Sequence, residues 1–575
     1  MEHSALHALS LCGIVITLGG TFFTLAIFFP AANGVPGGVM VGNGLNCGLQ
    51  QSLARWIFLG ALFGAGAGFL NLFVDVAEVR NQTIFAGVSL AEVWRFATVT
   101  TVGQLTIARI GALLLVAVVA ADVRRRMNRA ETPNRLLTAA ATWWLAGIFA
   151  VAAVVLNSFV CHAAAQPAGR TAAVFWQIAH TAAASIWLGG LIHLLLARKW
   201  IESATTASDA DLLGQIVKRF SPIALTVVGL IFLSGIVAAV RYLVSPAAVP
   251  TSAYGLTLVV KLLLMIPLLY AGWMNFRVIQ PALLALNGAP ASGPARSSNP
   301  AMNTPGRRPA LQRFSKMLEL EVTMGVLVIT VAGILASIPP PGDSNALRLT
   351  VQQTRALLSP DLPTTAIVNP AQFVGAAART VDDLRYSEFT HNWSGVFVCV
   401  MGLCWLGQSL RGRAGGWAER LWPFALIPFA IFIAIAADPE VWILRTMSLG
   451  EGFANPAVAE HQIGALLVLI LVWLGWRDKN KPAATRPLGY ALPVLMIGGS
   501  LLLLGHAHSA LTATQELTNL VNVQHAVLGT FGLFAGTVRW LDLRGLFPER
   551  LARVVWPGLV VALGLFMAFF YRELV

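Results

Sequence analysis

Three observations predict an all-α integral membrane protein. Charged residues make up 11% of the 575 residues and hydrophobic ones 57%, whereas a water-soluble domain carries about 25% charge. Mean hydropathy is +0.71. Apolar runs of about 20 residues, the length that crosses a bilayer, recur along nearly the whole chain, and connections rich in Lys and Arg alternate with connections poor in both. This excludes a soluble enzyme or a nucleic-acid-binding domain. The net charge of +13 sits in short clusters between apolar runs, where orientation in the lipid bilayer explains it and nucleic acid does not.

Taken in order, about fourteen runs read as spanning helices: 8–29, 54–74, 104–122, 137–157, 172–196, 221–243, 257–276, 320–338, 391–411, 421–437, 459–477, 487–505, 521–540 and 554–571. The stretch MEHSALHALSLCG lacks the basic region and small-residue cleavage site of a secretory signal, so the first run is expected to stay as a helix. Residues 278–318 are rich in Pro, Gly and Ser and read as a flexible cytoplasmic linker. Residues 341–388, from the last proline of PPPGD (339–343), contain no run long enough to span and read as an outward-facing extramembrane segment. They separate an eight-helix membrane domain, 1–340, from a six-helix one, 389–575. Arg124–Arg126, Arg198, Arg307, Arg411, Arg477 and Arg544 follow the third, fifth, seventh, ninth, eleventh and thirteenth runs. Basic residues favour the cytoplasmic side, so the odd helices run inward and the N-terminus lies outside.

With that topology, nine of the ten histidines fall on the outer side: His3, His7, His162, His180, His391, His461, His506, His508 and His525; His193 lies at an inner end. Three inward-running helices of the second half share one plan, HNWSG, HQIG and HAVLG, each opening on His, placing Gly three or four residues later and closing near an Arg. Imidazole suits Cu, Zn, Fe and Ni, and sulfur ligands shift the preference toward Cu(I). A His-rich face with five cysteines and no CxxC pair therefore fits copper or haem, and not a disulfide scaffold or thiolate cage.

Candidate metal ligands in the second half are His391, His461, His506, His508 and His525. His506 and His508 are about 200° apart on a helix, so they share an ion only where the helix has ended; His506 beside His525, joined by His391 and His461, is easier to build. Glu460, Asp438 and Glu440 are available to orient ring nitrogens. The alternative occupant is haem b, held axially by a histidine pair. Cys399, Cys404, Met265, Met274 and Met401 are soft groups deeper in the membrane, though Cys399 and Cys404 do not share one helix face with His391. Lys261 and Arg109 need a partner or a hydrated pocket and read as structural.

In the first half, His162 precedes the fifth helix and His180 lies about two turns into it, so both can face one outer cavity. Trp187, seven residues on, shares that face. His193 is roughly 20 Å further along the helix and cannot belong to the same site.

CHAAAQPAG followed by AHTAAASIWLGGL, KRFSPIALTVVGLIFLSGIVAA, YGLTLVVKLLLMIPLLYAGWMNFR and ELEVTMGVLVITVAGILASIPPP resemble, in order, the membrane domain of the bacterial copper resistance protein D family over residues 150–341. The resemblance implies a protein of the bacterial inner membrane that moves copper from periplasm to cytoplasm, beside a periplasmic copper-binding partner. It carries His162 and His180 over as copper positions, with Cys161 where the family commonly has Gly. The six-helix half resembles the C-terminal extension of longer members. No GxxxxGK[ST] loop and no DKTGT-like motif occurs, so the chain reads as a non-enzyme that ATP does not drive. A membrane cytochrome and a copper scaffold without transport are the competing readings.

Overall fold

The computed structural model describes residues 2–33, 43–80, 87–128, 135–166, 168–202, 207–281, 307–343, 347–365, 380–411, 417–454, 456–477, 487–505 and 514–575. Secondary structure among them is helical, without strands. Each of the fourteen apolar runs lies largely on one helix, although several helices begin 10–14 residues before the run, as at Asn43, Ala207, Arg307 and Val381. The first five are α1 (Glu2–Phe22, running on through a π-turn to Asn33), α2 (Asn43–Val79), α3 (Thr101–Asn128), α4 (Arg135–Ser158) and α5 (Arg170–Ala184, continuing through a π-turn, Ser185–Gly189, to Glu202). Then come α6 (Ala207–Leu243), α7 (Ala253–Met274), α8 (Arg307–Leu335) and α9 (Val381–Arg411). The last five are α10 (Trp417–Ala436), α11 (Pro456–Arg477), α12 (Ala491–Gly505), α13 (Gln515–Leu543) and α14 (Glu549–Phe569).

Among the described residues ten helices are long and apolar enough to cross a membrane, and Leu426–Ala436, His461–Arg477 and Ala491–Gly505 are shorter apolar helices. The helix α13 is of another kind. Asn519, Gln524 and His525 in its N-terminal half are buried with most of its length, so it is a core helix surrounded by others. The expected linker falls largely on residues 282–306, outside the described residues. Of the expected extramembrane segment 341–388, residues 381–388 already belong to α9.

Lipid tails are as apolar as Leu, so close packing at small residues has to hold the helices together. The hub is α1. A Cβ on Gly13 would collide with Gly64 of α2, one on Gly19 with Ser185 and Gly189 of α5, and one on Gly333 of α8 with Ala8 of α1. Large side chains such as Val118, Ile148 and Ile236 point outward, as a lipid-facing surface requires.

The two halves do not separate cleanly. Ala526, Leu533 and Leu541 of α13 share one core with Leu264 and Leu268 of α7 and Leu318 of α8. Arg544 just after α13 pairs with Glu319 of α8. On the opposite side the 347–365 segment crosses the seam: Leu349 N donates to Thr251 O (2.8 Å), and Asp361 N to Phe569 O (2.9 Å). Gln353 Nε2 donates to Glu516 O at 3.2 Å.

Candidate metal sites

The turn before α5 positions the first site. A short helical turn, His162–Ala165, is followed by Gly169 at φ 67°, a left-handed conformation that glycine adopts without steric cost. The chain thereby folds back over the start of α5, and Cys161 and His162 come to face His180. One turn below His180 the π-turn at Ser185–Gly189 widens the helix where α1 crosses it, a feature that recurs at functional sites.

The result is a cavity of about 320 Å³ whose lining includes His7, Cys161, His162, His180, Lys261 and Met265, together with Trp187 and apolar side chains of α6 and α8. His162, His180 and Trp187 thus occupy the shared cavity that their spacing predicts. Lys261 has its pocket, and Met265 alone of the three methionines lies on this wall. His7 joins from α1, a contribution that sequence reasoning missed; its one signal was the His3–His7 pair at helical spacing. His193 stays apart, buried, with Nδ1 donating to Gly189 O at 2.7 Å.

His180 is held by a relay. Ser234 Oγ donates to Leu230 O (2.6 Å), so its lone pair is left to accept from His180 Nδ1 (2.9 Å). That assignment puts the proton on Nδ1 and leaves Nε2 as the metal-ligating nitrogen. The opposite wall has a clamp. Arg109 is 2% exposed, and its guanidinium donates to Asn157 Oδ1 at 2.5 Å. Asn157 O in turn accepts from the Cys161 thiol at 3.1 Å. Arg109 thus finds the partner that an intramembrane guanidinium needs in Asn157, whose own carbonyl positions a candidate ligand. Burial pushes the Cys161 thiol up to about 11, against the pull of Arg109. A metal binding there at neutral pH must displace the thiol proton. The lining also includes Leu188, Leu268 and Gly325, and one turn before Gly325 in α8 buried Glu321 accepts from Asn275 Nδ2 at 2.8 Å.

In the second half the predicted ligands divide. His391 and His525 come together with ring centroids 6.0 Å apart, and Tyr571 stacks flat on His391 at 4.1 Å. His391 Nδ1 donates to Ser387 O at 2.8 Å, which turns Nε2 away from its own helix. The C-terminal residues close this cluster: Ser387 Oγ and Tyr571 OH donate to Glu573 Oε1 at 2.5 and 2.9 Å. His461 does not join them. The helix α11 packs on α10, and His461 Nδ1 instead donates to Asp438 Oδ1 at 2.8 Å, while Gln462 holds Asp438 Oδ2 at 2.7 Å. Asp438 therefore orients the His461 ring. His506 and His508 lie outside the described residues, as does the Glu460 side chain.

The His–Gly–Arg plan of α9, α11 and α13 serves different ends. A Cβ on Gly395 would strike α14 and one on Gly529 would strike α12, whereas Gly464 has nothing within 4 Å.

Residues 214–335 match the family model described as Copper resistance protein D. Over 201 residues the chain is 27% identical to the copper transport protein CutJ of Bacillus subtilis (strain 168), a match covering 35% of this chain and 31% of that protein. The matched stretch is thus about a third of that relative's length. No solved structure is significantly similar. The family match takes in Ser234, Lys261 and Met265 but begins after His162 and His180. The chain is an all-α multi-pass membrane protein that is similar to the copper resistance protein D family along α6, α7 and α8, three of the helices that wall its cavity.

Proposed function

We propose that the protein carries copper from the periplasmic face of a bacterial inner membrane toward the cytoplasm, as a permease and not an enzyme, with the α1/α5/α7 cavity as its outer chamber. The observation that carries this reading is the meeting of His7, Cys161, His162, His180 and Met265 around one cavity, a nitrogen and sulfur donor set suited to copper. Among the described residues no three of His7, Cys161, His162 and His180 have ligand atoms within 4.8 Å of one another. Spread donors suit cargo in passage, since conduction needs sites weak enough to release it. His391 and His525 form a second candidate copper pair, with His461, His506 and His508 as separate outer ligands. Delivery by a periplasmic copper-binding protein and an outward N-terminus fit the outer placement of these groups.

Haem b is the poorer fit. A porphyrin held between His391 and His525 would have to displace Tyr571, which is fully buried and stacked on His391. Proteoliposomes test transport. Accumulation of copper inside, lost in His180→Ala, is expected; saturating binding without accumulation would leave a copper scaffold. A Soret band in the purified protein would revive the cytochrome.

A further inference from the structure

One turn outward from His7, α1 meets the end of α2. His3 Nδ1 lies 3.3 Å from Asp75 Oδ1 and 3.7 Å from Glu78 Oε2. The three side chains are the one group of His, Cys, Asp and Glu among the described residues whose ligand atoms all fall within 4.8 Å of one another. An ordinary His–carboxylate pair would account for one of these contacts, but His3 Nδ1 is buried and has no hydrogen bond of good geometry to either carboxylate. A second observation comes from Asn71, one turn before Asp75. It is 7% exposed; its Nδ2 donates to Asp75 Oδ1 at 3.0 Å, and its Oδ1 is buried with no hydrogen-bond partner. One imidazole nitrogen and two carboxylates thus converge, beside a residue whose own oxygen is left unsatisfied, the arrangement that a cation would satisfy.

We infer that His3, Asp75 and Glu78 form a divalent copper site at the outer lip of the cavity. One imidazole and two carboxylates are borderline-to-hard donors, and among first-row divalent ions Cu(II) binds such a set most tightly. Cu(I), which prefers sulfur, belongs with Cys161 and Met265 further in. The His3 and His7 rings are parallel, with centroids 6.2 Å apart, so the site stands directly before the first donor of the chamber. Its existence is independent of transport; its role as a capture point rests on the permease reading.

The test is Cu²⁺ titration of the full-length protein in detergent, followed by electron paramagnetic resonance, on wild type, His3→Ala, Glu78→Gln and Asp75→Asn. Glu78 is 60% exposed at its side chain, so Glu78→Gln tests the site without threatening the fold. In wild type we expect one Cu²⁺ that shows coupling to a single nitrogen and is absent from His3→Ala. Glu78→Gln and Asp75→Asn should weaken it by more than the roughly 10–100-fold that loss of an outer partner costs, with Cu(I) stoichiometry unchanged. Equal Cu²⁺ binding and identical spectra in wild type, His3→Ala and Glu78→Gln would reduce the cluster to a set of polar contacts and overturn the inference. Proteoliposomes that bind this Cu²⁺ without accumulating copper would uphold the site and refute the transport reading.

Discussion

At the scale of single residues, what distinguishes the cavity is the restraint behind each donor. Ser234 decides which nitrogen of His180 is available, and Ser234→Ala leaves Nδ1 without its acceptor. Copper affinity at His180 should fall about 10–100-fold while helical content by circular dichroism stays constant. Cys161 makes a pH prediction. Its thiol, held at about 11 by burial, is protonated throughout the neutral range, so copper competes with a proton. Cu(I) affinity should therefore rise about tenfold per pH unit between pH 6 and 9 through this group, and a competition assay should find that slope lost in Cys161→Ser. That His162 and His180 face one cavity was legible from their positions, one just before the fifth helix and the other about two turns into it. The company of Cys161 was legible in part, because it adjoins His162. His7 was not, since it reaches the cavity only through the crossing of α1 over α5.

At the scale of helices, composition and periodicity told where each apolar run lies, but not how far polar residues extend several helices before it, as at Asn43, Ala207, Arg307 and Val381, nor what each glycine is for. The repeat in α9, α11 and α13 suggests one plan, while the structure gives Gly395 and Gly529 a close neighbour and Gly464 open space. Gly395→Ala should cost about 1–3 kcal/mol by overpacking, read as a lowered midpoint of thermal unfolding in detergent. Gly464→Ala should be neutral or slightly stabilising, because alanine is the better helix former. Equal effects at both positions would mean that α11 packs as closely as its two counterparts. The same difference in packing takes His461 to Asp438 and leaves His391 with His525, although all three histidines stand at the same point of the repeat.

At the scale of the whole molecule, the eight-plus-six division describes the order of the chain better than its packing. Because α13 buries Ala526, Leu533 and Leu541 against α7 and α8, residues 389–575 expressed alone should expose that face and elute as aggregate on size exclusion. Co-expression with residues 1–340 should recover a soluble complex in detergent, weakened by Glu319→Ala through loss of the Arg544 contact. A monodisperse six-helix fragment would contradict the shared core.

Hydropathy and the distribution of Lys and Arg are local properties, each read within one span or one loop, and a bilayer turns them directly into helix positions and orientation. For that reason the sequence alone determined the all-α membrane class, the positions of the apolar runs and an expected crowding of histidines on one side. Which of those histidines meet was decided by helix crossings between residues far apart in sequence, such as His3 with Asp75 and His391 with Tyr571. Those crossings depend on the fit of small side chains, and no window along the chain contains both partners.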